Sequence, residues 1–328
     1  MERRSEALSL RKQKLSTMIT FLSLITIPAL FGVFWAPTGA ATPTTKQADL
    51  AEGFALSDWP MSKNAAFGKV VYAKYCIGCH GDTGLGDGEA AAFLDPLPRN
   101  FQRGAFKFRT TPYGKLPVLA DIVKTITCGL QGSSMPEFRL MPRTEKEAVA
   151  EYVQHVATFP AAKSAVSRAM KKRQASLEEI LESEIDSIKE SVWSKEIGRL
   201  QPIPVPPSPK VTDKLLALGK KRYLDECNRC HGDSGRGDGI SSFTLRDWKD
   251  QPIMARDFTT GVFRAGSKPE DIFTRMRTGA TGTPMPAIRG PDDEIWALAH
   301  YILSLKDPQA YTSRIHSGCG IPGGDSDK

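Results

Sequence analysis

The pentapeptide Cys76-Ile77-Gly78-Cys79-His80 recurs as Cys227-Asn228-Arg229-Cys230-His231, and each copy runs into a Gly-Asp-rich loop. Two thiols spaced by two residues, with an imidazole directly after them, match the attachment pattern of a c-type haem. In that pattern the thiols add across the vinyl groups of the macrocycle and the His is left beside the iron. A single Cys-x-x-Cys also suits a zinc knuckle or a redox dithiol. Zinc, however, needs four converging ligands, and His80 has the wrong reach for that unless a second pair lies nearby. The duplication predicts two covalent haem c groups, held by Cys76 and Cys79 and by Cys227 and Cys230, with His80 and His231 as iron ligands.

A further ligand for each iron must come from among five His and nine Met. Met135, in Gly132-Ser133-Ser134-Met135-Pro136, and Met285, in Gly282-Thr283-Pro284-Met285-Pro286, follow the two motif histidines by 55 and 54 residues. Matched context at a matched offset separates them from methionines that only fill a core. A Met-Pro unit in a Gly-containing loop is not helical, so each thioether is expected on an extended segment. Met141, also followed by Pro, competes in the first repeat. His155 and His300 are expected to be packing or surface residues, with bis-His ligation as the alternative.

The repeat is domain-sized. Gly68-Lys69 matches Gly219-Lys220 at the offset that relates the two motifs. Arg99-Asn100-Phe101, then Gly104 and Phe106, parallels Arg256-Asp257-Phe258, then Gly261 and Phe263. Each copy closes with an apolar segment of helical period, Ala148 to Phe159 and Ile295 to Leu305, in which Tyr152 and Tyr301 correspond. Arg99 and Arg256 either hold a haem propionate through charge-assisted bonds or are solvated surface arginines. Lys107 and Arg264 correspond as well.

With these motifs in place, each repeat resembles a class I cytochrome c domain, and the chain resembles membrane-attached dihaem cytochromes c of respiratory chains. The resemblance implies a mainly α fold in which the helix before the motif crosses the closing helix at a small-residue and aromatic contact, Gly68 with Tyr152 and Gly219 with Tyr301. It also implies a proline carbonyl that accepts from the proximal imidazole, with Pro96, Pro98 and Pro252 as candidates.

Five basic residues within 1–14 precede an uncharged stretch at 15–36 that is 22 residues long, enough to span a bilayer. Its length favours an uncleaved transmembrane anchor, although Thr38-Gly39-Ala40 would suit removal of a signal. Either reading places the haem domains on the periplasmic or extracytoplasmic face of the inner membrane. A linker at 37–61 leads to the first domain, 62–160. Residues 161–210 are expected as a long amphipathic helix, with Leu177, Ile180, Leu181, Ile185, Ile188 and Val192 on its apolar stripe, followed by a stiff Pro-rich join. That stripe needs a surface, either the haem domains or a partner subunit. The second domain spans 211–308 and a flexible tail 309–328. Cys128 and Cys319 are left over, and an exported chain can pair them. The net charge of +7 favours acidic partners, and no motif supports nucleic-acid binding.

The expected function is one-electron transfer between a quinol-oxidising or dehydrogenase complex and a soluble cytochrome or terminal oxidase, by a carrier or a non-catalytic subunit of a larger complex. The alternatives are a dihaem cytochrome c peroxidase, whose iron must open a coordination site, and the dihaem subunit of a cbb-class haem-copper oxidase.

Overall fold

The computed structural model describes residues 51–307. The 15–36 stretch, Cys319 and the tail lie outside them. Among the described residues no helix is long and apolar enough to cross a membrane, and there is no strand beyond one isolated bridge between Arg246 and Pro252. The expectation of a mainly α chain is met.

The first repeat begins with α1 (Lys63–Tyr75), whose N-terminus is capped by Ser62 Oγ accepting from the Ala65 amide. A one-turn helix α2 (Ile77–His80) follows and carries the motif. Next come α3 (Leu119–Cys128) and α4 (Arg143–Arg173). Helix α1 crosses α4 so closely that a Cβ on Gly68 would stand 2.0 Å from the carbonyl oxygen of Ala148. Tyr72 and Tyr152 pack edge to face at this crossing, with centroids 5.1 Å apart.

The second repeat copies the plan with α7 (Asp213–Glu226), α8 (Asn228–His231), α9 (Pro269–Thr278) and α10 (Asp292–Ser304). Here a Cβ on Gly219 would stand 2.1 Å from the Ala297 carbonyl oxygen. Tyr223 and Tyr301 meet with centroids 5.3 Å apart. The crossing implied by the resemblance is thus present in both halves; Gly219 meets Tyr301 there, its Cβ position 2.8 Å from Tyr301 Cβ, whereas Gly68 meets the backbone of Ala148 and Val149 and Tyr152 packs on Tyr72.

The region between the repeats differs from the expectation of one long connecting helix. Helix α4 runs through Pro160 to Arg173, well past the expected end of the domain. The chain then folds back as α5 (Leu177–Ser183), started by a Ser176–Glu179 capping box, and α6 (Ile185–Glu196). Ile180 and Val192 are buried against Phe159, Ala162 and Val166 of α4 and against Phe54 and Trp59 from before α1. The apolar stripe therefore has its surface within this chain, in a third small core.

The Pro-rich join then crosses both repeats. The Ile203 amide donates to the Thr110 carbonyl at 2.8 Å, and Ser208 Oγ lies 3.0 Å from His300 Nε2. The repeats also touch directly. Lys124 and Asp271 form an ion pair at 2.7 Å, and Arg109 donates to the Thr278 carbonyl at 2.9 Å.

His155, on α4, lies between Trp59 and Tyr152 with both centroids 6.2 Å away. Burial, with smaller contributions from Lys189 and Lys69, pushes its imidazole from 6.5 down to about 4. It is a packing residue, and it is neutral in the fold.

Two predictions follow from this packing. Gly68→Ala should lower the unfolding free energy by about 3 kcal/mol, the upper end of ordinary overpacking, because the clash is with backbone. Gly78→Ala, whose Cβ meets nothing within 4 Å, should stay within about 0.5 kcal/mol of the parent; denaturant unfolding compares the two. For His155 the unfolded chain takes up a proton first as the pH falls. Stability should therefore drop between about pH 6.5 and about pH 4. His155→Phe should flatten that segment of the profile of melting temperature against pH.

Candidate functional site

Helix α1 ends at Cys76, whose amide still donates to the Tyr72 carbonyl at 2.8 Å, and α2 places Cys79 and His80 one turn on. Tyr72 Oη donates to the Gly81 carbonyl at 2.7 Å, and Tyr223 Oη donates to the Gly232 carbonyl at 2.6 Å. Each bond ties the helix before a motif to the residue after its His. The signal was in the sequence, since both tyrosines lie four residues before the first motif cysteine, but sequence reasoning passed over them.

His80 Nδ1 lies 3.2 Å from the Arg99 carbonyl, and His231 Nδ1 lies 3.0 Å from that of Arg256. A carbonyl oxygen only accepts, so Nδ1 carries the proton and Nε2 keeps its lone pair. The expected proline carbonyl is corrected here: neither Pro96, Pro98 nor Pro252 accepts from the ring. The residue after Pro98, and its counterpart after Ala255, does so in both repeats. A backbone acceptor needs no particular side chain, which is why the imperfect proline match did not reveal it. Phe101 stacks on His80 at 4.5 Å between centroids and Phe258 on His231 at 4.4 Å. Burial pushes both imidazoles below their ordinary value, with the neighbouring guanidinium adding to the effect and the carbonyl bond opposing it.

The methionine loops are built alike. Gly129 (φ 60°) ends α3 and Gly279 (φ 60°) ends α9. A Cβ on Gly129 would stand 2.7 Å from the Met135 carbonyl oxygen, and one on Gly279 would stand 2.7 Å from the Pro286 carbonyl carbon. The Leu130 amide donates to the Met135 carbonyl at 3.1 Å and the Ala280 amide to that of Met285 at 3.1 Å. Ser133 Oγ and Thr283 Oγ1 each accept from the amide of their methionine at 3.3 Å. These hydroxyls, at corresponding positions, also escaped the sequence reading.

In the first repeat Cys76, Cys79, His80 and Met135 line one cleft. Phe106, Ile122, Ile126, Phe138, Val149 and Val153 give it apolar walls. Met141 is buried in the core instead. Arg99 and Arg264 both line the cleft; Arg264 Nε is buried there with no hydrogen-bond partner, and Arg99 Nη1, also without one, lies toward the Met285 loop, 3.4 Å from a Cβ on Gly282. Paired thiols, an imidazole fixed with Nε2 free, a thioether, apolar walls and an orphaned guanidinium nitrogen fit a macrocycle with an anionic edge. Cys128 is disulfide-bonded, while none of the four motif cysteines is.

Tyr72→Phe and Tyr223→Phe should each cost about 0.5–1.5 kcal/mol, the worth of one hydrogen bond, since the Gly81 and Gly232 carbonyls keep the amides of Gly84 and Gly235 as donors. Denaturant unfolding of the two variants checks this.

No curated protein matches the chain. Among solved structures, a chain of the reducing HAO-like protein complex of Kuenenia stuttgartiensis is 35% identical, with a TM-score of 0.57, over 75% of this chain and 97% of that one. The family model described as cytochrome C oxidase, cbb3-type, subunit III matches residues 63–153 and 214–302, one match for each repeat. The chain belongs to that cytochrome family, and its two cytochrome c domains imply covalently bound haem c and electron transfer.

Proposed function

We propose that the protein is a dihaem electron-transfer subunit of a membrane-associated redox complex, with one haem c in each repeat. Cys76 and Cys79 attach the first and Cys227 and Cys230 the second, with His80 and Met135, and His231 and Met285, as the axial pairs. The observation that carries this reading is the repetition, in both halves, of an imidazole locked by a backbone carbonyl and a methionine loop pinned by a hydroxyl.

Bound haem c would supply a one-electron couple, and His80 with Met135, and His231 with Met285, would hold its iron, a ligand pair that raises the potential. The remaining work falls to this chain. The carbonyls of Arg99 and Arg256 hold Nδ1 protonated and present Nε2. The reverse turns at Leu130 and Ala280 fix each methionine, and the apolar walls keep water away. A site closed on both sides conducts electrons and does not bind substrate, so the expected role is non-catalytic.

The reading of residues 15–36 as an anchor with a basic flank supports an inner-membrane location with the haem domains in the periplasm. Both comparisons carry the names of multi-subunit redox assemblies, which supports a subunit that relays electrons between a quinol-oxidising or dehydrogenase complex and a downstream cytochrome or oxidase.

Met135→Ala and Met285→Ala test the ligand assignment. Each should remove one Met-ligation band and lower one of two midpoints by more than about 59 mV, a tenfold change for one electron, leaving the other in place. A spectroscopic redox titration reads both. A Met285→Ala protein with both haem spectra unchanged would contradict the assignment in the second repeat.

A further inference from the structure

Beside the cleft of the first repeat, the seam brings together four cations, Arg99 and Lys107 from the first repeat and Arg256 and Arg264 from the second. Burial is the largest influence on all four and pulls each below its ordinary pKa. For Lys107, which is next influenced by Arg99 and Arg264, the result is about 8. Among the described residues no carboxylate forms an ion pair with any of them. Of the nearby acids, Asp247 Oδ1 accepts from the Lys249 and Gln251 amides and Asp257 Oδ1 accepts from Thr259, while Asp95 acts on Arg264 only through space. Arg99 Nη1 and Arg264 Nε are buried without any hydrogen-bond partner. Withdrawing unpaired cations from water is costly, so this part of the seam calls for anions that the described residues do not supply.

The guanidinium groups also reach across the seam. Arg264, of the second repeat, lines the cleft of the first, and its Nη2 donates to the Gly132 carbonyl of the Met135 loop at 2.9 Å. A Cβ on Gly132 would stand 3.9 Å from Arg256 Nη1, and one on Gly282, in the Met285 loop, would stand 3.4 Å from Arg99 Nη1.

We propose that the seam is a shared carboxylate site in which Arg264 and Arg256 hold the propionates of the first repeat's haem while Arg99 reaches those of the second. This rests on the dihaem reading above and deepens it, because four cations then face the four carboxylates of two haems. Both anionic edges turn toward one seam, electrons cross it within the chain, and a cation belonging to one repeat sets the potential of the other.

The test is Arg264→Gln in a Met285→Ala background, where the first haem is the one that keeps its methionine. Removing the positive charge favours the oxidised iron. The midpoint of the first haem should therefore fall by about 59 mV, a tenfold change in its reduction equilibrium, and become dependent on pH where the released carboxylate titrates. Arg264→Lys, which keeps the charge, should retain most of the parent midpoint. Lys221→Gln, which removes an exposed cation paired only with Asp225, should move neither couple.

A first-haem midpoint unmoved by Arg264→Gln, or moved without pH dependence and no more than by Lys221→Gln, would overturn the proposal. Whole-chain mass on the same samples separates the two levels. Two attached haems with an unmoved first couple sink the shared site alone, and fewer than two sink the dihaem reading with it.

Discussion

Helix α1 meets α4, and α7 meets α10, with no room for a side chain at Gly68 or Gly219, and both sites depend on these crossings. The crossing sets where α1 and α7 end, and therefore where Cys76 and Cys227 begin their motifs. The tyrosine one turn further along then bonds to the carbonyl just past each motif histidine, so the attachment turn is fixed at both ends. Close packing of this kind leaves few alternative arrangements. A domain of about a hundred residues has limited core of its own, which makes the macrocycle wall and the helix crossing parts of one structure.

Polar groups in the site are used economically. The carbonyls of Arg99 and Arg256 each select an imidazole tautomer, and the side chains of the same two residues face the seam. One short segment in each repeat thereby orients a motif histidine and supplies a cation to the opposite methionine loop. Such double use explains why the Arg-x-Phe segments persist in both halves while many neighbours differ, with Phe101 and Phe258 stacking on the same histidines. The long join at 161–210 does not hold the repeats apart. The join leads away into a third core and returns, while the repeats themselves meet across Lys124–Asp271 and Arg109–Thr278.

Much of this was legible in the sequence because covalent attachment and duplication both leave local marks. Adjacent thiols and imidazole and a Met-Pro loop at one offset are each readable without tertiary information, while the helix crossing at a glycine was implied by the family resemblance. The features that were missed involve backbone groups or partners far along the chain. The acceptor for His80 is a carbonyl, which any residue supplies. The stripe of Ile180 and Val192 was visible, but its partners Phe54 and Trp59 lie more than a hundred residues earlier, and helical period does not say where a helix turns back. Lys107 and Arg264 were seen to correspond, yet only the packing of the two repeats shows that they share a seam.

The measurement closest to the central claim is whole-chain mass of the purified protein together with its spectrum under carbon monoxide, cyanide and hydrogen peroxide. Closed His/Met sites predict the mass of two attached haems, spectra that do not respond to these ligands, and no peroxide turnover. A haem that binds carbon monoxide or turns over peroxide, above all once the other has been reduced, would contradict the account and make the chain an enzyme of the dihaem peroxidase type.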